Sequence, residues 1–178
     1  MTVYYTITRR EDNSRAEKDK NRQTTLPRLL EKLQVNPHQD TKKDTLGRLF
    51  LPLSPTIDIS LSHADLYTVY AASNTRIGID MECPDSIRDP EALARRFFTD
   101  AEQRAVQASD NPRLTVCEIW TKKEALAKYI GTGLSKNLHL DTTKSQEQTV
   151  FHTFAATIEQ KTYVITVCTH KNAKLLCC

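Results

Sequence analysis

The sequence contains no long hydrophobic run. No stretch approaches the roughly 20 apolar residues that a helix needs to span a bilayer, and residues 1–10 lack the apolar centre of a signal peptide. Hydrophobic residues make up 39% of the 178 residues and charged residues 26%, which is ordinary for a globular protein. We therefore expect a cytoplasmic protein with no membrane partner.

The sequence also lacks the cysteine spacing of a disulfide framework or a zinc site. Its five cysteines are odd in number, and no two of them are spaced as CxxC. The last two, Cys177 and Cys178, are expected to be exposed, reduced thiols. This usage agrees with a cytoplasmic location.

Positive charge is concentrated near the N-terminus. The formal net charge is only +3, but residues 9–48 contain eleven Lys and Arg against seven Asp and Glu. Such a region can hold a polyanionic ligand or an acidic partner. Residues 9–23 have almost no apolar side chain to bury, so we predict a solvated, mobile face there. The basic stretch lacks interleaved aromatic residues that stack on bases, so a nucleic-acid partner is not expected.

Hydrophobic periodicity and turn residues predict a mixture of helices and strands. The predicted elements are a strand at 3–8, a helix capped by Thr25, a strand pair at 57–61 and 66–72 around a turn at 62–65, a strand at 76–82, a helix after Asp89, a helix opened by a capping box at Thr99, a helix at 114–130, and strands at 150–158 and 163–169. The strand–turn–strand units at 57–72 and 150–169 are similar, which hints at two related lobes.

Three carboxylates carry the strongest chemical signal. Asp80 and Glu82 lie two residues apart on a predicted strand, so they share one of its faces. Glu124 falls inside the apolar stripe of the predicted helix at 114–130, where an ionised carboxylate is costly unless it is paired or binds a metal. Together they indicate an all-oxygen site for magnesium. The alternatives are a solvated strand face and an ion pair between Glu124 and Lys128, four residues apart on the helix.

Five segments resemble the motifs of the 4′-phosphopantetheinyl transferase superfamily, in the right order. They are SLSHA at 60–64, GIDME at 78–82, RFFTDAE at 96–102, WTKKEALAK at 120–128 and GTGLS at 131–135. The tryptophan signature and the serine–histidine motif resemble the surfactin-synthetase-activating type more than the compact trimeric holo-acyl-carrier-protein synthases.

That resemblance implies an α+β fold made of two similar α/β lobes related by a pseudo-two-fold axis. The N-terminal lobe, residues 1–75, would be shortened. The C-terminal lobe, residues 76–178, would carry the metal motifs. The protein would be a monomer.

The resemblance further implies an enzyme that transfers the 4′-phosphopantetheine group of coenzyme A to a serine of an apo carrier protein and releases 3′,5′-ADP. Asp80, Glu82 and Glu124 would hold Mg²⁺, and Glu124 would also serve as the general base. Lys128 would contact a coenzyme A phosphate or take part in proton transfer. The carrier would belong to fatty-acid, polyketide or nonribosomal-peptide synthesis.

Further residues are assigned to coenzyme A by the same resemblance. His63 would bind the 3′-phosphate with Ser62 beside it, and Arg48 would add charge near the nucleotide together with Lys42 and Lys43.

Two neighbours of Glu124 on the helix have predictions of their own. Trp120 is predicted to be a core residue. Lys123, on the flank of the apolar stripe, is predicted to contact either phosphate or solvent.

Two other classes of function remain open at this point. A metal-dependent phosphohydrolase or nuclease would also use clustered acids, but it would not explain the glycine loop or the serine–histidine segment. A non-catalytic module that binds coenzyme A or nucleic acid would fit the basic N-terminal half.

Overall fold

The computed structural model describes residues 1–144 and 148–178. Its strands are β1 Thr2–Arg9, β2 Lys42–Lys43, β3 Leu49–Phe50, β4 Asp58–Ala64, β5 Tyr67–Ser73, β6 Ile77–Glu82, β7 Thr149–Ile158, β8 Lys161–His170 and β9 Lys174–Cys177; its helices are α1 Arg15–Lys32, α2 Pro90–Phe97, α3 Asp100–Gln107 and α4 Pro112–Ile130, with a 3₁₀ turn at Pro84–Ser86. The mixed α+β class predicted from the sequence is confirmed. No helix in these two ranges has the length and apolar character of a membrane span.

Two sheets form the centre of the described chain. The first has the strand order β4-β5-β1-β9, in which only the β1–β9 pairing is parallel, and the second has the order β6-β8-β7 and is antiparallel. A short two-stranded ribbon is formed by β2 and β3. Strand β9 was not predicted, and it joins the C-terminal end of the chain to the N-terminal strand.

The two sheets share one hydrophobic cluster. Val3, Val69 and Ala71 of the first sheet pack in it with Ile79 and Ile165 of the second. Because strand side chains alternate, the opposite faces of the sheets need other partners. The leucines of α1 cover the outer face of the first sheet, and α4 packs on the outer face of the second.

Helix α1 starts eleven residues before the predicted position. Its N-cap is Ser14, whose side chain accepts a hydrogen bond from the Glu17 N–H, and Thr25 is a buried residue inside the helix. The predicted N-cap at Thr25 is therefore wrong. Residues 15–23 of the predicted solvated, mobile face are helical, although residues 11–16 are exposed as predicted. Polar contacts anchor this half of the helix, because buried Asn21 accepts hydrogen bonds from the hydroxyls of Thr8 and Tyr70.

Candidate active site

A glycine brings α4 into direct contact with β6. A Cβ atom at Gly78 would lie 1.9 Å from the backbone oxygen of Ala125 and 2.6 Å from the backbone nitrogen of Tyr129. Gly78 shares its strand face with Asp80 and Glu82, while Ile79 and its alternating neighbours face the core between the sheets. The two acids therefore lie on the side of the strand that meets α4, the helix that carries Glu124.

Asp80 is the buried centre of this contact, with only 2% of its surface exposed. Its Oδ1 accepts hydrogen bonds from Lys128 Nζ at 2.8 Å and from Ser62 Oγ at 2.6 Å. Its Oδ2 is buried and has no hydrogen-bond partner among the described residues. A buried carboxylate oxygen without a partner is costly, so this atom is suited to a ligand that the chain itself does not supply.

Lys128 joins the helix to the strand. Its Nζ contacts Asp80 and also donates to the backbone oxygen of Ile79 at 3.0 Å. The sequence alternative, an ion pair between Lys128 and Glu124 along the helix, is therefore replaced by a pair across the interface with β6. The geometric reason is the close approach at Gly78, which brings a strand carboxylate within reach of the lysine.

The carboxylates of Glu82 and Glu124 are partly buried and repel their neighbours. Burial, followed by the charges of Asp80 and Glu124, raises the pKa of Glu82 to about 7. Burial and then Asp80 raise the pKa of Glu124, against the opposing effect of Lys128. The three predicted acids are thus brought together closely enough to interact electrostatically.

These acids are suited to a hard cation, although they do not form a closed cage. Within residues 1–144 and 148–178, no group of three or more His, Cys, Asp or Glu side chains is arranged to hold a metal ion by itself. Magnesium usually binds one or two carboxylates and completes its shell with water and substrate phosphate. Carboxylate oxygens, one of them buried without a partner, fit that requirement.

A cavity of about 880 Å³ opens beside the acids and is lined by Glu124 and Lys128. Besides Lys128, its cationic lining residues are Arg15, Lys18, Arg22, Lys43 and Arg48. The volume lies within the range of small-molecule sites, and the charge suits a ligand with several phosphates. Three of these cations come from α1 and were missed in the sequence. Recognising Ser14 as an N-cap would have placed Arg15, Lys18 and Arg22 at helical spacing on one face.

His63 lines the same cavity, but from strand β4 rather than from a turn. Its Nδ1 lies 3.0 Å from Thr68 Oγ1. Although part of the residue is exposed, desolvation of the ring, followed by the charges of Arg10, Lys18 and Lys128, lowers its pKa to about 4. The imidazole is therefore neutral at pH 7 and lies in positive surroundings that favour an anion.

The other residues assigned to coenzyme A have different surroundings. Ser62 hydrogen-bonds Asp80, so it belongs to the acid cluster. Arg48 borders the cavity, but its guanidinium donates to Asp58 and to the backbone oxygens of Ile77 and Lys128.

The two remaining lysines of this group lie on strand β2. Lys43 lines the cavity, whereas Lys42 is an exposed residue whose strand partner is Phe50.

Two neighbours of Glu124 on α4 pack toward the interior of the protein. Trp120 is partly buried and packs against the cluster between the helices, with its ring centre 5.5 Å from that of Phe97, which agrees with its predicted place in the core. Lys123 contacts neither phosphate nor solvent, so both of its predicted roles are wrong. Its Nζ forms a fully buried ion pair with Glu102 and donates to the backbone oxygen of Leu138. The reason is the packing of α3 and the 137–142 segment against α4, which encloses that flank of the helix.

Comparison with protein families gives a match that covers the acid cluster. Residues 76–173 match the sequence model of the 4′-phosphopantetheinyl transferase superfamily. The matched region contains β6, α4 and the three carboxylates. It therefore covers the face on which Asp80, Glu82 and Glu124 meet.

Individual relatives agree with that match. The chain is 32% identical over 93 residues to a 4′-phosphopantetheinyl transferase of Bacillus subtilis, which is 50% of this chain and 40% of that protein. It is 32% identical over 116 residues to a 4′-phosphopantetheinyl transferase of Aneurinibacillus migulanus, which is 62% of this chain and 46% of that protein. The chain thus spans less than half the length of these relatives.

Among solved structures, the chain is similar to the holo-[acyl-carrier-protein] synthase of Thermotoga maritima. The TM-score is 0.38 and the sequence identity 20%, over 55% of this chain and 64% of that one.

Proposed function

The chain belongs to the 4′-phosphopantetheinyl transferase superfamily, and we propose that it transfers the 4′-phosphopantetheine group of coenzyme A to a serine of an apo carrier protein. One observation carries this proposal. Asp80 is buried with Oδ2 unpartnered among the described residues, and it lies next to Lys128 and a cationic cavity large enough for a nucleotide. A site of this kind is suited to a polyphosphate ester.

In the proposed reaction, the serine oxygen of the carrier forms a bond to the β-phosphorus of coenzyme A, the one that carries the pantetheine arm. The bond from this phosphorus to the oxygen that bridges the two phosphates breaks, and 3′,5′-ADP leaves with that electron pair. The serine proton passes to a base. Catalysis of such a transfer consists mainly of positioning and of stabilising negative charge.

We assign Asp80, Glu82 and Glu124 to Mg²⁺. When bound, the ion would offset negative charge on the pyrophosphate. Ser62 and Lys128 hold Oδ1 of Asp80 and leave Oδ2 for this role. Burial and then the repulsion from neighbouring carboxylates raise the pKa of Glu82 and Glu124, and a cation would offset both effects.

Glu124 is the proposed base for the serine proton, because it lines the cavity while Asp80 is buried beneath it. Lys128 also lines the cavity, and its ammonium forms an ion pair with the Asp80 carboxylate. Two of its three N–H donors contact Asp80 and the backbone oxygen of Ile79, so the third is left to donate to a phosphate oxygen.

The remaining cavity residues would hold the nucleotide. His63 would donate a hydrogen bond to the 3′-phosphate, in surroundings made positive by Lys18 and Lys128. Arg15, Arg22 and Lys43 would add charge around the phosphates.

We further propose the surfactin-synthetase-activating type. Its two α/β lobes, at residues 1–75 and 76–178, would be related by a pseudo-two-fold axis in a cytoplasmic monomer, with β9 of the second range joining the sheet of the first. Each sheet of this chain carries one long helix on its outer face, α1 on the first and α4 on the second, which supports that assignment.

The experiment is transfer to a panel of apo carriers from fatty-acid, polyketide and nonribosomal-peptide synthesis. Each carrier is incubated with the protein, coenzyme A and Mg²⁺, and its intact mass is recorded. A mass increase equal to one phosphopantetheine, abolished by EDTA and by Asp80→Asn, supports the proposal. Phosphate release without a carrier would indicate a phosphohydrolase instead. Full modification by Asp80→Asn would contradict the metal assignment.

A further inference from the structure

We propose that Arg48 is a positioning residue. Together with Asp58 it fixes the carboxyl end of α4, and with it Lys128, against β6, and it does not bind a phosphate of the substrate. This inference rests on the proposed function, because its consequences are measured in phosphopantetheine transfer. It separates Arg48 from the other cations of the cavity.

The contacts of the Arg48 guanidinium are with the protein itself. Nη1 donates to the backbone oxygen of Lys128, and Nη2 donates to Asp58 Oδ2 and, at 2.9 Å, to the backbone oxygen of Ile77. Only 13% of the Arg48 side chain is exposed. The guanidinium thus directs three of its five N–H donors at protein oxygens, two of which are backbone oxygens of α4 and β6. Arg22 differs, because its contact is with the Asp19 side chain on its own helix.

Asp58 organises the same junction from strand β4. Its Oδ2 accepts the backbone N–H of Ile77 at 2.9 Å and lies 3.8 Å from Arg76 Nε. One carboxylate thus contacts the first residue of β6 and two arginines. We call Arg48, Asp58 and Arg76 the arginine clamp.

The arginine clamp binds the end of α4, where helix carbonyls have no partner within the helix. Arg48 donates a hydrogen bond to the backbone oxygen of Lys128, and Arg76 Nε donates one to the backbone oxygen of Tyr129 at 2.7 Å. Glycine is favoured next to it, because Gly131 ends the helix with a φ of +83°, in the left-handed region that other residues rarely adopt. Cationic groups at this end of a helix also interact favourably with its dipole.

The clamp reaches the acid cluster through Lys128. This residue is held at its backbone oxygen by Arg48 and at its ammonium by Asp80. Loosening Arg48 would let the last turn of α4 move relative to β6, and the Lys128–Asp80 contact would move with it. Small displacements of this kind cost up to about a hundredfold in rate.

The test compares Arg48→Lys, Asp58→Asn and the double variant in the full chain. Steady-state transfer is measured with coenzyme A and with 3′-dephospho-coenzyme A, at a temperature well below each melting temperature. The control is Arg95→Gln, which removes a similar but exposed arginine–carboxylate pair with Glu91 on α2. Asp58→Asn keeps an oxygen for the Ile77 N–H, so it tests the proposal even where Arg48→Lys does not fold.

We expect each single variant to lower kcat/KM about tenfold and the double variant to be no worse than either. The preference for coenzyme A over the dephospho form should not change, and Arg95→Gln should behave like the unaltered chain. If Arg48→Lys lost the preference for coenzyme A over the dephospho form while Asp58→Asn kept it, Arg48 would be a phosphate ligand. That result would overturn the inference. The inference would also be overturned if the loss in kcat/KM of the double variant equalled the product of the two single losses. Single variants with unaltered kinetics would overturn it too. Absence of transfer by the unaltered chain would instead overturn the proposed function.

Discussion

Lys123 Nζ lies 2.7 Å from Glu102 Oε2, and neither side chain is exposed to solvent. The lysine also donates to the backbone oxygens of Leu138 and Leu140, while the other oxygen of Glu102 accepts the backbone N–H of Thr142. The pair therefore ties α3, α4 and the 137–142 segment together. Because this segment follows the glycine loop that borders the cavity, the ion pair supports one wall of the proposed site.

Removing one member of this pair should be strongly destabilising. Lys123→Met leaves the Glu102 carboxylate buried without its counter-ion, which should lower the free energy of unfolding by about 3–5 kcal/mol. The adjacent Lys122→Met is the control, since Lys122 is only partly buried, and it should change stability by less than about 1 kcal/mol. Urea unfolding followed by Trp120 fluorescence measures both. Equal effects of the two substitutions would show that the buried pair is not a principal contact.

Local signals in the sequence are enough to predict that the three acids meet. Alternation along β6 places Asp80 and Glu82 on one face, and the helical period places Glu124 within the packing stripe of α4. The pattern of apolar residues along the sequence shows both the alternation of a strand and the period of a helix. What was missed depends on residues far apart in the chain. The partner of Lys123 is 21 positions away on α3, and that of Lys128 is 48 positions away on β6.

The start of α1 was missed for a different reason. Its first half has almost no apolar residues, and the apolar stripe that predicts a helix begins only at Leu26. In the structure, Ser14 supplies the cap and Asn21 supplies buried polar contacts to β1 and β5. Recognising Ser14 as the cap would therefore have indicated the start of the helix, whereas hydrophobic periodicity alone did not.

Gly78→Ala should separate α4 from β6. The new Cβ would lie 1.9 Å from a backbone oxygen, so the helix must move as a whole. We expect a loss of about 1–3 kcal/mol in the free energy of unfolding and a fall in transfer of at least tenfold, because Lys128 moves away from Asp80. Gly47→Ala is the matched control. A Cβ atom at Gly47 would have no other atom within 4 Å. This variant should therefore lose only the stability that a φ of +83° costs an alanine. A Gly78→Ala variant with unaltered transfer would contradict the role given to this close contact.

Glu82 should make the metal-free protein less stable above neutral pH. Its pKa of about 7 is higher than the usual value of 4.5, so the folded state holds this proton more tightly than the unfolded chain. The resulting stabilisation is complete below pH 4.5 and disappears as the pH rises to 7. Glu82→Gln should therefore raise the free energy of unfolding by about 1–3 kcal/mol at pH 8 relative to the unaltered chain.

The same comparison at pH 4 is the control, because both proteins are then uncharged at this position and should differ little. Urea unfolding in EDTA from pH 4 to pH 8 measures the difference. Added Mg²⁺ should stabilise the unaltered chain at pH 8 more than the Glu82→Gln variant. If the difference in the free energy of unfolding between the two proteins did not vary with pH, an unfavourable ionised Glu82 carboxylate in the folded state would be ruled out.

Two arginines of α1 offer a direct test of the nucleotide cavity. Arg22 lines the cavity and pairs with Asp19 at 2.8 Å, whereas Arg28, on the same helix, is exposed and does not line it. Arg22→Met should raise the Kd of coenzyme A about three- to thirtyfold, as expected for the loss of one charge-assisted contact. Arg28→Met removes the same charge from the chain and should leave the Kd within about twofold. Isothermal titration at 50 mM and 300 mM salt, as chosen conditions, measures both, and the difference should shrink at the higher salt because exposed charges are screened. If the two variants weakened binding equally at both salt concentrations, only the overall charge of the helix would matter, and the nucleotide would have to bind outside the cavity that Arg22 borders.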